Sequence, residues 1–236
     1  PIEEENPFLG WRGIRISLDH PEIFLVQIRA LLRASEGLNN LKIMLPMISN
    51  LSELDAALAL IHRAYRELTE EENYNLKLPP LGAMIEVPAA VYQVKEIGSR
   101  VDFMSVGTND LTQYLLAVDR NNPRVAEIYD SLHPSVLRAL KAIHEQAVSV
   151  DCELSVCGEM AGDPVSAVVL MGLGYKNLSM SASSLLRVKS LMLKVSRETA
   201  EDWVDEALCL SDAASVGRFM SEALAPFTLK QSKLVS

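Results

Sequence analysis

Residues 101–118 have the sequence VDFMSVGTNDLTQYLLAV, in which an apolar run leads through Gly-Thr-Asn-Asp into a second apolar segment. Residues 101–106 carry the apolar and β-branched side chains of a buried strand, and residues 111–118 predict a helix. A strand that turns at a glycine into a helix is typical of parallel α/β proteins, whose ligand sites lie at the carboxyl ends of the strands. This stretch therefore predicts both a fold class and the place of a site.

Four further apolar segments of strand length occur along the chain, and helical patterns fill the gaps between them. Their nearly continuous apolar character is expected of strands that are covered on both faces. The predicted strands are residues 41–48, 81–87, 101–106, 153–156 and 177–180, with residues 13–17 as a weaker sixth. The predicted helices are residues 21–35, 52–70 (capped by Ser52 with Asp55), 88–98, 111–118, 134–148, 163–172, 184–195, 198–210 and 213–224.

The alternation of strands and helices predicts an α/β protein, either a doubly wound sheet or a (β/α)8 barrel. No G-x-G-x-x-G follows a predicted strand, which disfavours a dinucleotide-binding sheet. A barrel needs eight strands, so we expect its first strands to precede Pro1, where the sequence begins abruptly without Met. Residues 1–236 are then expected to form one incomplete barrel domain, with residues 225–236 as a flexible tail.

The composition excludes several classes of function. A net charge of −9 disfavours nucleic-acid binding, because nucleic-acid binders present a basic face. Three cysteines without a short spacing pattern argue against a disulfide scaffold or a structural zinc site. No apolar run reaches transmembrane length, and the N-terminus lacks the layout of a signal peptide. We therefore expect a cytoplasmic protein that binds neither nucleic acid nor membrane.

Three acidic or amide side chains follow predicted strands. Glu86 ends the run Gly-Ala-Met-Ile-Glu, and Asn109 and Asp110 follow Ser-Val-Gly-Thr. Glu86 and Asp110 together offer the hard oxygen ligands that Mg²⁺ prefers, and the following helix start offers N–H groups to an anion. The alternative is structural, because Glu86 could bond lysine or backbone and the other two are common helix caps. A helix cap needs only one polar side chain, so the presence of several polar side chains here favours a ligand-binding role.

Two arginines are candidate anion clamps. Arg120 lies at the end of the predicted helix that follows Asp110, and Arg12 lies in the string NPFLGWR. A guanidinium can bind a carboxylate or a phosphate through two parallel hydrogen bonds. The structural alternatives are a helix C-terminal cation for Arg120 and stacking on Trp11 for Arg12.

Cys157 ends a predicted strand, and a thiol at that position could act as an acid or a base. The other two cysteines, Cys152 and Cys209, are expected to be small buried hydrophobes. His133 precedes a proline and is expected to cap a helix, whereas the other histidines lack any triad-like context. We therefore assign no phosphoryl-accepting histidine to this chain.

Several multi-residue strings in register make the chain resemble Enzyme I of the bacterial phosphotransferase system, the phosphoenolpyruvate–protein phosphotransferase. They are NPFLGWR at 6–12, MIEVPAA at 84–90, SVGTNDLTQY at 105–114, AVDR at 117–120 and CGEMAGD at 157–163. The similarity spans nearly the whole chain in the right order. The strings at 10–17 and 154–160 lean towards the nitrogen-related branch of that family.

The resemblance implies an N-terminally truncated (β/α)8 barrel that binds phosphoenolpyruvate with Mg²⁺ and forms a homodimer. It also implies a histidine on another domain of the parent chain as phosphoryl acceptor, and a downstream phosphocarrier protein as partner. By position, Glu86 and Asp110 would hold Mg²⁺, Arg12, Asn109, Asp110 and Arg120 would contact phosphoenolpyruvate, and Cys157 would protonate the enolate to give pyruvate.

Two other interpretations stay open. The chain alone could be a dimerisation or ligand-sensing module without activity, because the phosphohistidine domain and two further phosphate-binding arginines of the family are absent from it. The strings also fit the barrel of a related dikinase or phosphoenolpyruvate synthase. Because those arginines are absent, we expect the chain alone to bind phosphoenolpyruvate weakly and not to turn it over, even if the parent protein is a phosphotransferase.

Overall fold

The computed structural model describes residues 4–228. Contacts between Cα atoms divide the chain into two compact units, Pro1–Met104 and Ser105–Ser236. Helices and strands alternate in both units, so the α/β class predicted from the sequence is confirmed. The extent of a single domain over residues 1–236 stays a prediction.

The first unit contains two strands, the beginning of a third, and five helices. Strands β1 and β2 are parallel, with Ile43 opposite Leu81, and β3 follows β2 in the hydrogen-bonded order. Helix α3 continues into a π-helical segment at Glu67–Glu71. The elements are α1 (Ile14–Asp19), α2 (Pro21–Ala34), β1 (Ile43–Leu45), α3 (Leu51–Arg66), β2 (Leu81–Ile85), α4 (Pro88–Val91), α5 (Val94–Gly98) and β3 (Phe103–Gly107), which crosses the unit boundary.

Three predictions for the first unit are wrong in detail. Instead of forming a strand, Gly13 is the N-cap of helix α1 and residues 14–17 begin that helix, in which only Ile14 is buried. The cap of α3 is Asn50, whose side chain accepts the Glu53 N–H at 2.9 Å while the Glu53 carboxylate accepts the Asn50 N–H at 3.2 Å. Residues 88–98 form two short helices instead of one.

The second unit contains the end of β3, two further strands, seven α-helices and a short 3-10 helix at Ala126–Ile128. Strands β4 and β5 are parallel, with Ser155 opposite Asn177, and the hydrogen-bonded order is β3-β4-β5. Helix α9 is buried along most of its length, and its Gly172 lies against the backbone carbonyl of Ala200 in α11. The elements are α6 (Thr108–Leu116), α7 (Pro134–Ser149), β4 (Glu153–Cys157), α8 (Glu159–Gly162), α9 (Pro164–Gly172), β5 (Asn177–Leu178), α10 (Ala182–Met192), α11 (Arg197–Ala207) and α12 (Ala213–Thr228).

Two observations bear on the predicted barrel and its tail: the extent of the last helix and the number of strands. Helix α12 extends to Thr228, so residues 225–228 of the predicted tail are helical, and residues 229–236 lie outside the described part. Residues 4–228 contain five strands in a parallel α/β arrangement, not eight. In the same residues, no helix has both the length and the apolarity needed to cross a membrane.

Candidate functional site

The carboxyl ends of β3 and β4 are joined by side-chain hydrogen bonds in the second unit. The Thr108 hydroxyl donates to the backbone carbonyl of Cys157 at 2.9 Å. The Cys157 thiol donates in return to the backbone carbonyl of Val106 at 3.5 Å. These two contacts place the start of α6 beside the end of β4, where the sequence predicted a site.

Asn109 lies in the first turn of α6, which begins at Thr108, three residues before the helix start predicted at Leu111. Its Oδ1 accepts the backbone N–H of Glu159 at 3.0 Å. Because the carbonyl oxygen of the amide is used in this way, Nδ2 is left to donate, and an anion is the natural partner for it. The expectation of a polar N-cap is wrong, because the N-cap residue is Gly107 and not Thr108, Asn109 or Asp110.

Gly158 makes the approach between β4 and α6 possible. Its φ of +105° and ψ of −177° are open to glycine and strained for other residues. A Cβ at this position would lie 2.9 Å from Asn109 Oδ1 and still nearer to Thr108 Oγ1. The glycine in the string CGEMAGD therefore has a local steric reason.

A cavity of about 550 Å³ opens beside this junction. Asn109 and Cys157 line one part of it, and Ser181, Ser184 and Arg187 line another. The second unit thus brings the predicted amide donor and the predicted proton donor to one cavity. A cavity of this size holds a small anion together with water or with a group of a second molecule.

Arg120 lies in the loop after α6, four residues beyond the helix end at Leu116. It is therefore not a cation in the last turn of the helix, and that structural alternative is wrong. Its backbone N–H donates to the Gln113 side chain at 3.3 Å. The guanidinium Nη1 is buried and has no hydrogen-bond partner among residues 4–228. A buried guanidinium nitrogen of this kind favours an anionic ligand.

Tyr129 links Arg120 to the first turn of α6. Its hydroxyl donates to the backbone carbonyl of Asn109 at 3.2 Å. Burial raises the pKa of Tyr129, and the nearby Arg120 guanidinium partly offsets that rise. Tyr129 and Gln113 were not among the predicted site residues, because no sequence motif indicates that their side chains lie near Arg120.

Asp110 follows Asn109 in the first turn of α6, and its Oδ1 is shielded from solvent. A carboxylate oxygen held in this way suits a hard cation such as Mg²⁺. Residues 4–228 contain no group of three or more His, Cys, Asp and Glu side chains that could hold a metal ion. Any magnesium would therefore need substrate oxygens or water as further ligands.

The other two predicted site residues lie in the first unit. Glu86 follows β2 and is only 3% exposed, and its carboxylate accepts the backbone N–H of Met47 at 2.7 Å. That bond is the backbone contact that the structural alternative predicted for Glu86. Arg12 lies over the ring of Phe8, with 5.4 Å between Cζ and the ring centroid. Trp11 donates its indole N–H to the Asp19 carboxylate at 2.6 Å.

Of the predictions for the other cysteines and histidines, one is confirmed and one is wrong. Cys209 is exposed and Cys152 is half-buried, so the expectation that both are buried is wrong. His133 caps α7 as predicted, because its Nδ1 accepts the Ser135 N–H at 3.1 Å. His144 packs against Tyr175, with 5.4 Å between the ring centroids.

Comparison with known proteins identifies related sequences. Residues 2–197 match the family described as PEP-utilising enzyme, PEP-binding domain. The phosphoenolpyruvate-dependent phosphotransferase system protein of Escherichia coli (strain K12) is 54% identical over 208 residues, which are 88% of this chain and 28% of that protein. The phosphoenolpyruvate-protein phosphotransferase of Bacillus subtilis (strain 168) is 39% identical over 220 residues, which are 93% of this chain and 38% of that protein. The chain thus spans well under half the length of these relatives.

A solved structure has a similar fold. A citrate lyase from Burkholderia xenovorans LB400 superposes with a TM-score of 0.54 over 89% of this chain and 69% of that chain. The sequence identity is 17%, so the similarity concerns the fold alone.

Proposed function

Because this chain belongs to the family described as PEP-utilising enzyme, PEP-binding domain, we propose that it binds phosphoenolpyruvate within a phosphoenolpyruvate–protein phosphotransferase. Relatives with that printed name are 39–41% identical to this chain over more than nine-tenths of its length. The observation that carries the proposal is the cavity shared by Asn109 and Cys157 at the ends of β3 and β4. A donor for an anion and an acid for a carbanion are the two groups that this reaction needs.

Binding of the substrate is proposed to use amide and guanidinium groups. Asn109 Nδ2 donates to the phosphoryl group, because its Oδ1 is occupied by the Glu159 N–H. Arg120 supplies a guanidinium whose Nη1 is buried and available to an anion. Arg12 of the first unit is proposed as a further contact on the basis of the family motif NPFLGWR.

Proton transfer is proposed for Cys157. In the reaction, the bond between phosphorus and the enol oxygen breaks as the phosphoryl group moves to a histidine on another domain. The enolate that remains takes the thiol proton at its terminal carbon and becomes pyruvate, leaving a thiolate on Cys157. The thiol donates to the Val106 carbonyl at 3.5 Å, and because S–H is a weak donor, little hydrogen-bond energy is lost when the proton moves to the substrate.

Magnesium is proposed as the cofactor. Asp110 in the second unit and Glu86 in the first unit are the carboxylates that would bind it, and Asp110 would also face the substrate. Their oxygen donors fit the ion, and the shielded Oδ1 of Asp110 supports that assignment. When bound, the ion neutralises charge on the phosphoryl oxygens.

The assembly is proposed from the relatives as well. We infer a (β/α)8 barrel completed by strands outside residues 4–228, a homodimer in the cytoplasm, and a phosphocarrier protein as downstream partner. The solved citrate lyase of similar fold and the five strands of this chain support the barrel. Because the chain spans 28–38% of these relatives, it is expected to bind substrate weakly and not to turn it over alone.

Titration calorimetry with phosphoenolpyruvate and Mg²⁺ tests the proposal on this chain. We expect binding that Arg120→Ala weakens at least about tenfold, since a charged hydrogen bond contributes about 1.5–3 kcal/mol. Arg124→Ala is the matched control, because Arg124 is an exposed arginine of the same loop. No binding at millimolar phosphoenolpyruvate, or equal loss in both variants, would favour the module without activity.

A further inference from the structure

The loop between α6 and α7 holds Arg120 in a defined conformation. Helix α6 ends at Leu116, and its C-cap residue Ala117 has a left-handed φ of +53° and ψ of +42° that turn the chain sharply. The Asp119 carboxylate accepts the Asn121 N–H at 2.9 Å, and the Asn122 side chain accepts the Arg124 N–H at 3.1 Å. These local turns shape the loop, but they do not attach it to the rest of the unit.

Two side-chain contacts attach the loop to α6. At its beginning, the Gln113 side chain accepts the backbone N–H of Arg120 at 3.3 Å. At its end, the Tyr129 hydroxyl donates to the backbone carbonyl of Asn109 at 3.2 Å. Gln113 is buried and Tyr129 is half-buried, so both contacts are partly protected from competing water.

The Tyr129 contact has a direct connection to the proposed substrate groups. The carbonyl that it reaches belongs to Asn109, whose side chain lines the cavity. The Tyr129 phenol also lies beside the Arg120 guanidinium, and burial keeps the phenol protonated, because it raises the pKa of Tyr129. The phenol donates to the Asn109 carbonyl, and the charge of the Arg120 guanidinium acts on the same hydroxyl. One side chain is thus hydrogen-bonded to Asn109 and close to Arg120.

We propose that Tyr129 is a positioning residue that fixes the Arg120 guanidinium relative to Asn109, so that both face one phosphoryl or carboxylate group. This inference rests on the proposed function for its ligand and deepens it. Without the hydroxyl, the loop keeps its local turns and the Gln113 contact but loses the link to the first turn of α6. The guanidinium then samples more directions, and binding must select the productive one.

The test uses Tyr129→Phe and a matched control in the same unit. Tyr175→Phe removes the same kind of bond, because the Tyr175 hydroxyl donates to the Leu140 carbonyl at 2.9 Å and the residue is only 3% exposed. We expect Tyr129→Phe to weaken phosphoenolpyruvate binding about tenfold in the presence of Mg²⁺. We expect Tyr175→Phe to lower the melting temperature while leaving that affinity unchanged.

Limited digestion with trypsin gives a second measurement that needs no ligand. Arg120 and Arg124 are cleavage sites within the loop, and detachment of the loop should speed cleavage there several-fold in Tyr129→Phe. Tyr175→Phe should show the wild-type rate. A double-mutant cycle measures the coupling between Tyr129 and Arg120 in phosphoenolpyruvate affinity. We expect Tyr129→Phe to have little further effect on that affinity in an Arg120→Ala background.

The outcomes separate this inference from the proposed function. If the wild-type chain fails to bind phosphoenolpyruvate but Tyr129→Phe speeds loop cleavage, the proposed function fails and the attachment of the loop is upheld. If the wild type binds and Tyr129→Phe changes neither affinity nor cleavage, the positioning role is overturned. Additive effects of the tyrosine and arginine substitutions would also overturn it.

Discussion

Replacing Gly158 with alanine tests the junction between β4 and α6. The substitution adds one methyl group at a residue with φ of +105° and ψ of −177°. That group would lie 2.9 Å from Asn109 Oδ1 and closer still to Thr108 Oγ1. Both oxygens make hydrogen bonds, to the Glu159 N–H and to the Cys157 carbonyl respectively. The substitution therefore disturbs the two hydrogen bonds that join β4 to α6 at the site.

The expected cost follows from three contributions. An alanine in a backbone region that is essentially restricted to glycine costs about 1–3 kcal/mol. Displacing the Thr108 and Asn109 side chains costs about 0.5–1.5 kcal/mol for each hydrogen bond. The free energy of unfolding should therefore fall by about 2–6 kcal/mol. A loss of about 4 kcal/mol corresponds to a fall of roughly 8–16 °C in melting temperature for a protein of this size.

The control for this prediction is Gly37→Ala. Gly37 has a φ of +75°, but a Cβ built there meets no atom within 4 Å. It should cost only the left-handed backbone, about 1 kcal/mol. Calorimetric melting of both variants and titration with phosphoenolpyruvate measure the difference. Equal losses of stability in the two variants, with unchanged ligand affinity in Gly158→Ala, would refute the steric reasoning.

Three further predictions concern single side chains. Cys157→Ser in the full-length parent should slow pyruvate formation with little loss of fold, because the hydroxyl is a far weaker acid; equal turnover removes the proposed role. Glu86→Gln keeps an acceptor for the Met47 N–H, so the fold should persist while Mg²⁺ dependence of binding is lost; unchanged metal affinity by titration would contradict this. Burial lowers the pKa of His144 from 6.5, so the unfolded chain takes up a proton more readily, and stability should fall as the pH drops through about 6.5. His144→Asn should flatten that dependence in melts at pH 7.5 and 5.5, and an unchanged slope would speak against it.

Strand positions could be predicted because buried parallel strands are short continuous apolar runs. The five main predictions each overlap a strand, although β1 is shorter than residues 41–48 because Pro46 ends it. The sixth failed because Gly-Ile-Arg-Ile-Ser alternates like a strand over too few residues to separate period two from a helix. Only tertiary contacts decided that Ile14 is buried as part of α1.

The cap of α3 could have been predicted better from the sequence. Asn50 and Glu53 have the spacing of a capping box, and they fit it more closely than Ser52 with Asp55. In the structure the Ser52 hydroxyl donates to Asn50 Oδ1 at 2.6 Å, so it supports the cap instead of forming it. Asn50 and Ser52 lie two residues apart and have similar N-cap propensities, so propensity alone did not decide which of them caps the helix.

The site residues that lie in contiguous sequence motifs could be predicted, whereas Tyr129, in the loop after α6, could not. Asn109 and Cys157 follow from the rule that sites lie at strand ends. Tyr129 is twenty residues from the carbonyl that it contacts, and its approach depends on the left-handed Ala117. No spacing rule connects an aromatic side chain to a carbonyl across an irregular loop, so this contact needed coordinates.

The polar residues in the first turn of α6 have a structural role beside their proposed functional one. A polar side chain at a helix start usually satisfies one of the free N–H groups there. Here the N-cap is Gly107, and Thr108 and Asn109 bond to β4 and to the residue after Gly158 instead. With Gly107 as its N-cap, the helix loses only about a few tenths of a kcal/mol relative to a polar cap. The two side-chain bonds hold α6 against the end of β4 and fix Asn109 at the wall of the cavity, so the contacts that stabilise this junction also position the amide that we propose as an anion donor.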